Sequence, residues 1–279
     1  MKTFLEKVRG EKLLDISRDK AIISEDELWV QVESVKPTPS FADSIRRNPE
    51  QAISIIAEVK AKAPSRQNVK SLDAASVVLE YENAGVKAVS VLTDEKYFGG
   101  SLKTLELVRE TIELPLLHKE FIVDPYQLLQ GRVRGASAAL ILVYYYQEAE
   151  LKTIIEKTEE IGLEAVVECS LPEELPRALR VNPNILMINN RPIAAIPSDP
   201  SKTYDQGDVE VSARWWHGSD ELREWKTQPG KVLISASCIS TPEHVRHIVN
   251  LPYDAFLIGN AAMMADDRIS FLKNLMCAN

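Results

Sequence analysis

Between Ile53 and Ile258 the chain carries eight short, continuously apolar runs, each followed by a segment of helix length. The runs are Ile53–Val59, Ala88–Leu92, Leu116–Lys119, Ala138–Val143, Ala165–Glu168, Ile185–Ile188, Val232–Ser235 and Ala255–Ile258. An apolar run without alternation is what a parallel strand buried on both faces requires. The segments between them carry helix punctuation. Asp73–Asn83 has apolar residues at 74, 77, 78 and 81 and stops at Gly85. Asp124-Pro125 sets a cap before a first-turn proline, with Gln127 at the capping-box position. Ser170-Leu-Pro-Glu173 reads as another capping box, and Thr241-Pro242-Glu243 opens a further helix.

Eight βα units without a break in composition predict an α/β fold, a (β/α)8 TIM barrel over residues 51–279. Residues 1–50 read as a polar N-terminal helical extension covering the barrel rim or bottom, broken by Pro37 and Pro39. A doubly wound sheet is the competing architecture, and it calls for a glycine-rich turn after the first strand. Here that turn is Lys60-Ala-Lys-Ala-Pro-Ser65, which has no glycine. One connection is long. Residues 192–230 hold four prolines with Trp215, Trp216, His217 and Trp225, and read as an insertion covering the mouth or as tryptophans packed on the outer helices.

Composition narrows the partners. Lys+Arg total 33 against 41 Asp+Glu, a net charge of −8, which argues against a nucleic-acid or anionic-membrane surface. A local cationic pocket for a small anion stays open. No apolar stretch reaches the roughly 18–20 residues of a membrane helix, and the N-terminus lacks a signal-peptide apolar core. Cys169, Cys238 and Cys277 are odd in number and far apart, which suits a reducing, cytoplasmic setting and no disulfide scaffold. Four histidines without His-Glu-x-x-His or His-x-His spacing predict no metal, and no cofactor motif is evident.

Polar residues gather at the strand ends, where a barrel of this type builds its site. Glu58 and Lys60 stand two apart and so share a face. Lys119 ends strand three, Glu168 strand five, Asn189 strand six, Ser237 strand seven and Gly259 strand eight. One such charge could be a silent buried ion pair. Two lysines and two glutamates at one mouth point to chemistry. Gly259-Asn260, opening the last unit, could offer backbone N–H groups to a phosphate.

Four stretches resemble the indole-3-glycerol phosphate synthase family. They are Ile56-Ala-Glu-Val-Lys-Ala-Lys-Ala-Pro-Ser65, Ser90-Val-Leu-Thr-Asp-Glu-Lys-Tyr-Phe-Gly-Gly-Ser-Leu102, Lys119-Glu-Phe-Ile-Val-Asp124 and Ile188-Asn-Asn-Arg191. The resemblance implies cyclisation of 1-(2-carboxyphenylamino)-1-deoxyribulose 5-phosphate to indole-3-glycerol phosphate, with loss of CO2 and water. It implies Lys119 as the general acid at the ketone oxygen and Glu168 as its acid/base partner. Lys60 would contact the substrate carboxylate and assist dehydration, with Glu58 orienting it. Asn189, Arg191, Ser237 and Ser65 would position substrate, and Phe98 and Phe121 would enclose its aromatic ring, unless they are simply core. Gly259, Asn260 and Cys238 would hold the phosphate. No cofactor, nucleic acid or membrane is implied, and the protein would act as a monomer or weak homodimer.

The chain also departs from the family pattern. Where the family writes Ser-Glu-Ser-Gly, this chain has Ser235-Ala236-Ser237-Cys238. The serine of the family's Lys-Ser-Pro-Ser is Ala63, and Asn260 replaces a small hydroxyl or acidic residue. Two further readings therefore stand beside the ordinary synthase: a paralogue acting on a related aryl-amino sugar or other carbonyl substrate, and a non-catalytic binding barrel. Retention of Glu58, Lys60, Lys119 and Glu168 speaks against the last.

Overall fold

The computed structural model describes residues 3–47, 53–61, 73–193 and 207–278. Within them the eight runs form a closed parallel barrel in sequence order, β1 pairing with β8 to complete the ring. The strands are β1 Ser54–Val59, β2 Ala88–Leu92, β3 Leu116–Lys119, β4 Ala138–Leu142, β5 Glu164–Cys169, β6 Ile185–Asn189, β7 Val232–Ala236 and β8 Ala255–Ile258. The apolar run locates each strand to within a residue. β6 and β7 run on to Asn189 and Ala236 because ladder hydrogen bonds come from the backbone and ignore side-chain polarity. β4 stops a residue early, where Val143–Tyr145 turns into a 3-10 helix.

Most expected caps form. Asp124 and Gln127 make the reciprocal box, Thr241 caps the helix Pro242–Ile248, and Gly85 ends Ala74–Ala84 with φ of 94°. The box expected between Ser170 and Glu173 does not form. Glu174 takes its place, its Oε2 accepting the N–H groups of Ser170 (2.7 Å) and Leu171 (3.1 Å) across a short 3-10 turn.

The N-terminal segment reaches both ends of the barrel. Helix α1 (Phe4–Ile22) lies along the loops that follow β2, β3 and β4. Glu11 accepts from Lys96 and Tyr97, Arg9 donates to the Tyr145 carbonyl, and Lys20 pairs with Asp124. Helix α2 (Glu25–Glu33) packs beside the helix Pro125–Val133. Helix α3 (Phe41–Ile45) closes the opposite end, where the Glu164 carboxylate at the start of β5 accepts the N–H groups of Phe41 and Ala42. Thus α1 rims the mouth and α3 plugs the floor.

The described part of the long 192–230 connection holds two helices, Glu210–Gly218 and Asp220–Thr227. They form the outer layer between β6 and β7. Trp225 is buried and its Nε1 donates to the Pro183 carbonyl at the floor end of β6, 3.0 Å away. Trp215 and Trp216 are half-buried against the same core. The tryptophans therefore belong to the barrel's outer wall, while residues 194–206 lie outside the described residues. No described helix is long and apolar enough to cross a membrane.

Candidate active site

The strand-end charges converge as strand alternation requires. Glu58, on β1, is 4% exposed, and its Oε1 lies 2.7 Å from Lys60 Nζ. Burial pushes the Glu58 carboxyl up, but Lys60 and Lys119 outweigh that and hold it below its ordinary value, with Arg191 adding to the same effect. It is therefore an anion wedged among cations. Gly259 explains how the pair fits. A Cβ there would stand 2.3 Å from Glu58 Oε1 and 2.9 Å from Lys60 Nζ, so the missing side chain makes room for the ion pair. The helix that Gly259 opens, Asn260–Met264, is only five residues long, and Asn260 is half-buried at its start.

Across the mouth, Lys119 Nζ faces Glu168 Oε2 at 3.5 Å. That is wider than an ordinary charge-assisted hydrogen bond, and Glu168 Oε2 makes no hydrogen bond among the described residues. The other oxygen is engaged: Asn189 Nδ2 donates to Glu168 Oε1 at 3.0 Å, and Asn189 Oδ1 accepts the N–H of Arg191 at 3.0 Å. One carboxylate oxygen is thus anchored and the other faces a lysine with a gap between them. Such a pair can pass a proton to or from a third group placed beside both.

An apolar cleft adjoins Lys119, with Leu92, Phe98, Phe121, Leu140, Leu142 and Ile193 in its walls. The Phe98 and Phe121 rings lie 5.9 Å apart at 34° to one another. Phe121 also meets Phe4 of α1 edge-on at 6.2 Å. Both phenylalanines are therefore core on one side and cleft wall on the other.

Ser237 and Cys238 form the turn after β7 with φ of 70° and 65°, the left-handed region that L residues other than Asn and Asp rarely enter. Cys238 Sγ sits so close to Gly207 that a Cβ on Gly207 would meet it at 2.0 Å, with Arg191 Nε at 3.4 Å from the same point. Cys238 and Arg191 thus border one spot, and the sulfur fills space that a glycine at 238 would leave open. Ser65 lies outside the described residues.

Sequence reading missed three participants. Asn190, fully buried, donates through Nδ2 to Ser235 Oγ and the Ser237 carbonyl, both at 3.0 Å, and accepts from the Ser212 N–H and hydroxyl. Its whole amide is satisfied, and it fixes the strained turn at 237–238 to the outer helix. Its position beside Asn189 was the only available signal. Lys12 and Glu120 were also missed. Lys12 lies in the extension, outside the barrel pattern, and its ion pair with Glu120 at 3.0 Å spans more than a hundred residues of sequence.

Comparison with known proteins agrees with this geometry. The indole-3-glycerol phosphate synthase family profile matches residues 5–275, taking in the N-terminal extension as well as the barrel. The chain is 34% identical over 273 residues to the indole-3-glycerol phosphate synthase of Aquifex aeolicus, covering 98% of each chain. It is 32% identical over 282 residues to that of a Roseiflexus species, covering 99% of this chain and 98% of the other. Among solved structures, the crystal structure of KGPDC from Streptococcus mutans superposes with a TM-score of 0.57 at 11% identity. The match covers 82% of this chain and 97% of the other, a likeness of fold alone. The chain belongs to the indole-3-glycerol phosphate synthase family.

Proposed function

We propose that the protein is a carboxy-lyase of tryptophan biosynthesis that converts 1-(2-carboxyphenylamino)-1-deoxyribulose 5-phosphate to indole-3-glycerol phosphate, CO2 and water. The observation that carries the reading is Lys119 Nζ facing Glu168 Oε2, which makes no hydrogen bond among the described residues, at 3.5 Å beside an aromatic-walled cleft. With the aryl ring packed against Phe98 and Phe121, its carboxyl-bearing carbon attacks the ketone carbon. Lys119 donates a proton to the ketone oxygen, neutralising charge as it develops. The carboxylate leaves as CO2 and its bonding electrons restore the aromatic ring. Lys60, held by Glu58, binds that carboxylate beforehand and then protonates the departing hydroxyl. Glu168, steadied by Asn189, takes the proton released as the indole double bond forms. The phosphate lies toward Gly259, Asn260 and Cys238, with Arg191 and Ser237 positioning the chain of the sugar.

A related aryl-amino sugar is a second reading, favoured by two features: Cys238 fills the turn beside Arg191, and Ala236 leaves no carboxylate next to Asn189, its ladder partner. Incubation with the family substrate tests both. Appearance of indole absorbance and release of one CO2 per product supports the first. No turnover of that substrate, with turnover of an analogue altered in the sugar phosphate, supports the second. On either reading the protein works in the cytoplasm as a monomer or weak homodimer, which sedimentation of the pure protein checks.

A further inference from the structure

A second group of buried charges lies at the mouth, behind the aromatic wall. Lys12 of α1 reaches Asp94 Oδ2 at 2.7 Å and Glu120 Oε1 at 3.0 Å. The side chains are 13%, 1% and 8% exposed, so three charges have been taken from water together. Burial pulls the Lys12 ammonium toward losing its proton, but Glu120 and Asp94 outweigh it and hold its pKa above the ordinary value. Burial, aided by the Asp94 charge, pushes the Glu120 carboxyl up against the pull of Lys12. The ammonium opposes that shift and draws the Glu120 carboxyl back toward its charged form.

Each carboxylate organises one wall of the cleft. Asp94 Oδ1 accepts the N–H groups of Tyr97 (2.5 Å) and Phe98 (3.2 Å), starting the short helix that carries Phe98. Glu120 stands between Lys119 and Phe121 in the chain. Its Oε1 accepts the Phe121 N–H at 2.7 Å and its Oε2 the Thr93 hydroxyl at 2.8 Å. One ammonium therefore joins the segment bearing Phe98 to the segment bearing Lys119 and Phe121. Adhesion of α1 does not need it, because Lys20 with Asp124 and Glu11 with Lys96 already tie the helix down near the surface.

We propose that Lys12 is a positioning residue: clamped between Asp94 and Glu120, it sets the placement of Phe98 against Phe121 and so the aryl-binding wall beside Lys119. The N-terminal extension is then part of the site and not only a cover. The inference rests on the aryl-ring reading of those two phenylalanines given under the proposed function.

Lys12→Met keeps the aliphatic stem and removes the charge. Its KM for 1-(2-carboxyphenylamino)-1-deoxyribulose 5-phosphate should rise about tenfold or more with a smaller fall in kcat, since small displacements of positioning groups cost that much. Lys12→Arg should recover most of the loss. Lys20→Met, which cuts another ion pair of the same helix, should leave KM at the wild-type value. A folded Lys12→Met with unchanged KM overturns the proposal, as does a KM rise matched by Lys20→Met. Should Lys12→Met not fold, Asp94→Asn keeps the cap on Tyr97 and Phe98 but loses the ionic bond, and an unchanged KM there overturns it equally. If the wild type does not turn over this substrate, the proposed function fails separately. The clamp is then judged from a crystal structure of Lys12→Met or, where that variant does not fold, of Asp94→Asn. A Phe98–Phe121 separation still at 5.9 Å sinks it and a clear change supports it.

Discussion

Lys119 Nζ and Glu168 Oε2 face each other at 3.5 Å from β3 and β5, two odd-numbered strands whose inward side chains share the barrel's interior. Neither is exposed enough to be a surface ion pair, and Asn189 holds the far oxygen of Glu168 in place. Replacing Lys119 by alanine removes the proposed proton donor and leaves little cavity at a strand end. Turnover should fall on the order of 10²–10⁴-fold. Thermal unfolding should stay close to wild type. A variant keeping a tenth of the activity would exclude Lys119 as the general acid.

Gly259 supplies a steric test of the opposite wall. Its φ of −108° lies outside the left-handed region, so Gly259→Ala meets no left-handed penalty. The new methyl would collide with Glu58 Oε1 and Lys60 Nζ, and the pair must part. We expect kcat to drop roughly tenfold or more as Lys60 loses its orientation. Wild-type kcat in a folded Gly259→Ala would mean that the Glu58–Lys60 geometry does not matter to turnover.

The turn at Cys238 stores strain that can be released. A non-glycine residue in the left-handed region costs roughly 1–2 kcal/mol, so Cys238→Gly should raise the melting temperature by a few degrees even after the sulfur's packing beside Gly207 is lost. Adding Ala236→Glu restores a carboxylate beside Asn189. If the substrate is the ordinary one, the double variant should gain or lose little in kcat/KM. A paralogue should instead gain about ten- to a hundredfold on the family substrate, the equivalent of one charge-assisted hydrogen bond.

His118 makes stability pH-dependent. It is buried on β3 with Nε2 2.9 Å from Thr93 Oγ1, and Gly131 on the facing helix leaves room for its ring only because it lacks a Cβ. Burial, with Lys12 and Arg134 nearby, pushes the imidazole down from 6.5 to about 3. The folded value lies below the unfolded one, so the native state holds the neutral ring. Its contribution is complete above pH 6.5 and is lost as pH falls toward 3. Glu120, shifted up, works the other way in acid. The comparison that isolates the ring is urea unfolding of wild type and His118→Gln at pH 7 and 5. Wild type should lose about 1–2 kcal/mol more than the variant across that interval. Equal losses would show that the ring is protonated or exposed in the native protein.

Asp254 tests the floor of the barrel. Its Oδ2 accepts from the Leu233 N–H (2.7 Å) and Lys226 (2.5 Å), and its Oδ1 from the Arg47 N–H (3.2 Å). Asp254→Ala takes the ionic partner from the half-buried Lys226, leaving it the Lys231 carbonyl, and removes the Arg47 N–H acceptor, which should cost about 3 kcal/mol. Because the mouth lies at the other end, kcat measured well below the melting temperature should not change. A fall in kcat without a fall in stability would place Asp254 in a role this geometry does not provide.

The barrel, its strands and the inward direction of Glu58, Lys60, Lys119, Glu168 and Asn189 were legible from sequence. These depend on local rules: apolar runs set the strands, a period of two sets the face, and parallel barrels put function at strand ends. What needed the tertiary structure was every relation between distant segments. Which oxygen of Glu168 is anchored, why residue 259 must be glycine, and how Asn190 pins the turn at Ser237 depend on atoms brought together by closure of the ring. Lys12 shows the limit most plainly. On an isolated α1 it is one charge among many on a polar helix, and only the docking of that helix over the loops after β2 and β3 gives it two buried carboxylates. Periodicity is written into neighbours along the chain, whereas the desolvation and pairing of charges depend on neighbours in space. Composition and pattern therefore determined the scaffold and the kinds of residue at its mouth, and folding alone decided which of them meet.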